Sequence, residues 1–167
     1  MSWQNIPDDI SKYQAFCYII INNHTNKRYI GYKTYWKTIR MAPLKGRSAK
    51  DKKRIAYQQS KNKTPRVNKR LKKVETDWRT YQSSCEALKD DMKALGEGAF
   101  TKKILISCRT KMEAQYEELR LQIEHQVLLS DNWYNEQVRA RFNGFILRRA
   151  MQNNILKTEN QEKNEED

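Results

Sequence analysis

Residues 15–21 (AFCYIII) and 28–34 (RYIGYKT), separated by the polar stretch 22–27 (NNHTNK), decide the fold. Both segments are rich in β-branched and aromatic side chains and flank a turn-forming run, which predicts a β-hairpin. The connecting stretch holds six residues, an even number. In an antiparallel hairpin that parity puts Tyr18 and Tyr29 on the same face of the sheet, together with Gly31 and Lys33. Gly31, lacking a side chain, is expected to allow close backbone approach, as a phosphate passing over the sheet would require. The plainer reading of the two tyrosines is as half-buried strand residues with locally bonded hydroxyls.

Working outward, residues 1–12 contain Trp3 and a Pro7-Asp8-Asp9 turn signal and read as a lead-in packed over the first strand. Beyond the hairpin, from residue 35 to about residue 74, hydrophobic periodicity is poor and lysine abundant, so an insertion is expected, with Pro43 and Pro65 bounding its middle. One helix over 49–61 or 68–76 is compatible with it. Structure resumes at residues 77–81 (DWRTY). Ser84 is then the expected N-cap of a helix over 85–95 that stops at Gly96 and Gly98. Residues 100–107 (FTKKILIS) read as a third strand. A long helix over 111–129 follows, with Met112, Tyr116, Leu119, Ile123 and Val127 on one apolar stripe. Ser130-Asp131-Asn132 ends it, and residues 133–149 open with a turn and continue as a last strand or helix. The order predicts a small α+β domain: a three-stranded antiparallel sheet flanked by helices, with a long basic insertion after the first hairpin. One domain over 1–150, carrying the insertion at 35–76, and a disordered polar acidic tail over 151–167 account for the whole length.

Thirty-three Lys plus Arg against twenty Asp plus Glu leave a net charge of +13, which points to a polyanionic partner. The charge is concentrated: residues 27–73 hold eighteen basic side chains and one acid, Asp51. Tyr32, Tyr35, Trp36 and Tyr57 interrupt this stretch, a mixture suited to phosphate contact with some stacking on bases or sugars. Cys17, Cys85 and Cys108 lie far apart without a C-x-x-C pair, so neither a disulfide framework nor a zinc knuckle is indicated. With no apolar leader and no run of about 18 apolar residues, a cytoplasmic protein without membrane contact is expected. The only histidines are His24 and His125, which speaks against histidine-rich metal sites.

Phe16-Cys17-Tyr18 and Tyr29-Ile30-Gly31 place two tyrosines eleven residues apart on the paired strands. Here the chain resembles the GIY-YIG nuclease family, whose hairpin carries those tripeptides. The second tripeptide matches fully, while Phe16 and Cys17 stand where Gly and Ile are usual. Further blocks agree in order: Tyr29-Ile30-Gly31-Tyr32-Lys33, then Asp77 to Ser84 (DWRTYQSS), then Glu118 seventeen residues before Asn135 in Tyr134-Asn135. They resemble a phage branch of that family, in which YIG-x-K, W-x-x-Y-G-S, a helical glutamate and a closing Y-N are expected. Gln82 replaces the glycine of the second block.

The resemblance implies a phage- or mobile-element-encoded, homing-like or restriction-like endonuclease that hydrolyses phosphodiester bonds of double-stranded DNA in the cytoplasm of a host cell. Such chemistry needs a positioned water, a group to take its proton, positive charge on the phosphate and help for the leaving oxygen. Glu118 is the expected protein ligand of Mg²⁺ or Mn²⁺, with Glu113, Glu117 and Glu124 as competitors. Tyr18 or Tyr29 would orient and deprotonate the water. Lys33 and Arg79 would neutralise the phosphate, with Arg40 as the fallback arginine, because the helix beginning Leu88-Lys89-Asp90-Asp91 offers none. Asn135 would hold the site by hydrogen bonds. The expected DNA-binding cations are Lys37, Arg40, Lys45, Arg47, Lys52, Lys53, Arg54, Lys69 and Arg70. The runner-up is a catalytically inactive DNA- or RNA-binding module, and assembly as monomer or homodimer stays open.

Overall fold

The computed structural model describes residues 2–41, 53, 56, 57, 60, 61 and 71–138. The chain divides into two compact units, residues 1–36 with 75–167, and residues 37–74. Elements run in the order β1 (Trp3–Gln4), β2 (Ala15–Asn22), β3 (Arg28–Thr34), β4 (Trp36–Arg40), β5 (Leu71–Glu75), α1 (Glu86–Leu95), β6 (Phe100–Cys108) and α2 (Lys111–Glu124). This is the expected α+β class. The sheet of the first unit, however, has four strands in the order β1-β6-β2-β3. Three are antiparallel neighbours, as expected, and β1 adds a parallel edge, pairing Trp3 with Lys102. Two residues of strand carry no readable period, which is why the sequence does not announce it.

β2 is central and almost wholly buried, because both of its faces are covered. Phe16, Tyr18 and Ile20 enter one core with Trp3, Trp78, Leu88, Met92, Phe100 and Ile104, while Ala15 and Cys17 face the other with Ala114, Leu121 and Val127. Between Cys17 and Tyr18 the register against β6 slips, from Cys17↔Ile106 to Tyr18↔Ile104. Leu105 is the extra residue of this bulge and stands exposed. The lead-in is anchored by Trp3, whose indole donates to the Trp78 carbonyl at 2.8 Å and whose ring meets Phe16 and Tyr18 edge-on.

β3 would be a bare edge, a liability in any sheet, but residues 132–135 run alongside it. Arg28 N–H donates to the Asn132 carbonyl (2.8 Å), Tyr134 N–H to the Arg28 carbonyl (2.7 Å), and Ile30 N–H to Asn135 Oδ1 (3.0 Å). The expected last strand or helix over 133–149 is thus, as far as residue 138, an irregular segment with one isolated bridge, Arg28↔Trp133; residues 139–149 lie outside the described residues, as does the expected disordered tail.

Two helix details differ from the sequence reading. Ser84 does not cap α1: Cys85 occupies the N-cap without a side-chain bond, and Ser83 Oγ takes the Cys85 N–H at 3.0 Å. α2 opens with a Thr110/Glu113 capping box and ends at Glu124, where Gln126 enters the left-handed region at φ 50°. Its buried residues are Ala114, Leu121 and Gln122, whereas Ile123 of the expected stripe is 64% exposed. Gln122 displaces the apolar register because its amide is satisfied on the sheet, donating to the Ile30 carbonyl at 3.2 Å. Hydrophobicity alone cannot see a polar residue that burial keeps bonded.

The second unit contains most of β4 and β5, which form a two-stranded sheet. Lys37, Arg40 and Lys53 are exposed there; Lys45, Arg47, Lys52, Arg54, Lys69 and Arg70 lie outside the described residues. Among the described residues no helix is long and apolar enough to cross a membrane.

Candidate active site

The hairpin register pairs Tyr18 with Gly31 and Ile20 with Tyr29, so both tyrosines share the face that parity assigns them, with ring centroids 6.1 Å apart. Gly31 makes that possible. A Cβ there would stand 2.7 Å from Tyr18 Oη and 2.9 Å from Tyr29 Cε1. The space above Gly31 is therefore filled by the two rings, not kept open for a passing phosphate as the sequence reading had it. Tyr81 meets Tyr18 edge-on, with centroids 6.2 Å apart. Its carbonyl accepts from the buried Lys102 ammonium at 2.7 Å, and burial lowers the Lys102 pKa from the ordinary lysine value.

The tyrosines are not equivalent. Tyr18 is 1% exposed, and burial, followed by the neighbouring Tyr29 and Tyr81, pushes its phenol well above the usual range. Tyr29 is half-buried and lines a cleft of about 510 Å³ with Ser84, Glu86, Glu118, Gln122 and Asn135. Its hydroxyl lies 3.0 Å from Ser84 Oγ. Burial raises its pKa too, and the Ser84 hydrogen bond pulls the other way.

Four glutamates of α2 competed for one role in the sequence. Glu113 is consumed by the capping box, where its carboxylate accepts from Arg109 and Thr110 N–H groups. Glu117 and Glu124 both bind Arg120, at 2.7 and 2.6 Å. Glu118 is the member of the four that lines the cleft. Burial raises its pKa to about 7, against a hydrogen bond from the Tyr32 backbone that lowers it. A carboxyl kept near neutrality by desolvation is poised to ionise when a cation arrives. Among the described residues no three His, Cys, Asp or Glu side chains converge; Glu118 could offer a hard divalent ion one carboxylate, with water and phosphate oxygens filling the rest of its shell. That is a donor set Mg²⁺ accepts.

Asn135 uses both ends of its amide on one residue: Oδ1 accepts from Ile30 N–H and Nδ2 donates to the Ile30 carbonyl at 2.8 Å. It splints β3, as a neighbouring strand would. Tyr134 is held by donating to Asp91 (2.6 Å) and accepting from Asn22 (2.9 Å). Lys33 and Arg79 are placed elsewhere. Lys33 pairs with Asp77 at 2.7 Å over the Tyr81 ring, and Arg79 pairs with Glu75 at 3.0 Å over the Trp78 ring. Neither lines the cleft, and among the described residues no basic side chain does.

Sequence reasoning missed Ser84 and Gln122 as cleft residues. Gln122 carried a signal, lying four residues after Glu118 and hence on the same helix face; Ser84 closes the block DWRTYQSS, where its position suggests only a helix cap. The departures from the hairpin motif are accommodated locally. Phe16 fills the aromatic core and Cys17 Sγ–H donates to the Ala114 carbonyl at 3.1 Å. Gln82 does not have positive φ, so no glycine is required there, and its amide bonds Glu97 at 2.7 Å.

A family model described as "Putative endonuclease segE, GIY-YIG domain" matches residues 2–63 and 51–138. No curated protein and no solved structure matches the chain.

Proposed function

The chain belongs to the GIY-YIG nuclease family, and on that premise we propose that it is a Mg²⁺-dependent endonuclease hydrolysing phosphodiester bonds of double-stranded DNA. The observation that carries this reading is that Tyr29, Glu118 and Asn135, far apart in the chain, line one cleft. Glu118 would hold the ion, Mg²⁺ or Mn²⁺. Bound there, it supplies positive charge to the scissile phosphate and to the departing oxygen. Glu118 would act in its ionised form and the Tyr29 phenolate in the same cleft as the proton acceptor. Tyr29, its own proton first lost to solvent, would then orient the attacking water and take its proton while one P–O bond forms and the other breaks. Tyr18, sealed beneath it, supports the Tyr29 ring, and Asn135 keeps β3 in register with the cleft. Lys33 and Arg79 act at the surrounding surface on flanking phosphates. A phage or mobile-element origin, a homing-like or restriction-like role and action in a host cytoplasm fit this chemistry.

The rival is a binding protein without catalysis. Incubation with supercoiled plasmid separates the two: nicked or linear product is expected with Mg²⁺ and none with EDTA. Unaltered plasmid under both conditions, with DNA bound, would leave only the binding module.

The basic segment 37–73 is proposed to supply the non-specific grip. It holds fifteen Lys and Arg, and each phosphate neutralised adds about 0.9 to the slope of log affinity against log salt. Removing residues 45–63 takes away eight of them. The shortened protein is expected to bind a DNA duplex with a visibly shallower slope, yet still to cleave slowly at low salt, since Tyr29 and Glu118 are retained. An unchanged slope would mean that this stretch does not touch the substrate.

A further inference from the structure

Ser84 is an exposed residue on the cleft wall whose hydroxyl sits 3.0 Å from the Tyr29 hydroxyl. Among the described residues its hydroxyl bonds nothing else. Ser84 does not cap the helix that follows, whose N-cap Cys85 has no side-chain bond, and the buried Ser83 takes the Cys85 N–H. On the other side, Cys85 is tied down by its thiol, which reaches the Tyr134 carbonyl at 3.5 Å. The backbone at residue 84 is therefore fixed from both neighbours, and its hydroxyl is held where the Tyr29 oxygen needs a partner.

We propose that Ser84 is a positioning residue for the hydrolysis, its hydroxyl donating to the Tyr29 oxygen in the ionised form, reached by prior loss of the phenol proton to solvent, in which Tyr29 takes the proton from water. The inference rests on the reading of Tyr29 as the group that takes the proton from water. In the resting site either hydroxyl can donate. Once Tyr29 is deprotonated only Ser84 can, so the bond is stronger in the charged state than in the neutral one. A contact that favours the reacting form accelerates the step without tightening substrate binding. The direction in which Ser84 moves the Tyr29 acidity agrees with this.

A double-mutant cycle on the full chain tests it, using single-turnover plasmid cleavage with Mg²⁺ and DNA affinity in EDTA. Ser84→Ala is expected to slow cleavage roughly 10-fold or more, the worth of a hydrogen bond to a charged group, with DNA affinity unchanged. Ser84→Thr, which keeps the hydroxyl, should restore most of the rate. In the Tyr29→Phe background Ser84→Ala should cost nothing further, because the oxygen it serves is gone. An equal loss in both backgrounds would reduce Ser84 to a structural role and overturn the proposal, as would a parental rate for Ser84→Ala. If Tyr29→Phe itself cuts at the parental rate, the reading of Tyr29 fails first, and that outcome is distinct from a failure of Ser84 alone.

Discussion

Glu118→Gln is expected to slow cleavage by roughly 10²–10³-fold or more at saturating Mg²⁺, since stabilisation by a bound ion is worth several kcal/mol, while DNA affinity in EDTA stays within a few-fold of the parent. The substitution preserves shape and removes only the charge that would hold the cation. The half-buried setting of Glu118, with its carboxyl raised to about 7, adds a pH signature. At low Mg²⁺ cleavage should rise as pH passes through about 7, because only the ionised form holds the ion, and excess Mg²⁺ should move that limb to lower pH. Stability runs the opposite way. A carboxyl whose folded pKa lies above its ordinary 4.5 is held protonated by the fold; the penalty for ionising it is absent in acid and grows as pH rises towards and through about 7. Without metal at pH 8, Glu118→Gln should therefore melt a few degrees higher than the parent and at pH 4.5 should not. Cleavage within a few-fold of the parent would move the ligand role to another carboxylate, Glu86 or Glu136 of the same cleft, or Glu117.

Tyr29→Phe should cost roughly 10²-fold or more in the single-turnover rate, the usual scale of acid–base assistance. Tyr18→Phe should cost less than about 10-fold on the same scale, because its hydroxyl is sealed beneath Tyr29 and Tyr81 and does not line the cleft. Both exchanges keep the ring, so the aromatic packing survives in each. A reversed ranking would place the reacting water on the Tyr18 side of the pair. Parental rates for both would return the tyrosines to a packing role.

The hairpin was legible because two short β-rich runs flank a polar loop of even length, and parity alone sets Tyr18 and Tyr29 on one face. The β6 strand and the start of α2 were legible for the same reason, that local composition and tertiary burial agree. Glu118 was singled out by its spacing to Asn135, not by any local property, and four glutamates on one helix look alike until Arg120 and the capping box claim the other three. What was illegible depends on distant partners. β1 exists because Trp3 finds Trp78, and the inward face of α2 is set by a glutamine that finds a carbonyl on β3. Lys33 and Arg79, expected at the phosphate, pair with Asp77 and Glu75 and do not line the cleft, contacts that no local pattern announces.

The covered edge of β3 gives the site a clock of its own. Backbone N–H groups point alternately to the two sides of a strand, and those on the outer side of β3 find three separate covers: Arg28 on Asn132, Ile30 on Asn135, Tyr32 on Glu118. None of the three is locked into the central ladder with β2. Their exchange with deuterated solvent is therefore governed by local opening, when residues 132–135 lift or the Glu118 carboxylate turns away, and not by global unfolding. Amides one position along, at residues 29 and 31, face β2 and report the whole fold. Neighbouring amides of one strand thus keep time for two different events, and the interval between them measures how often the cleft comes apart while the protein stays folded.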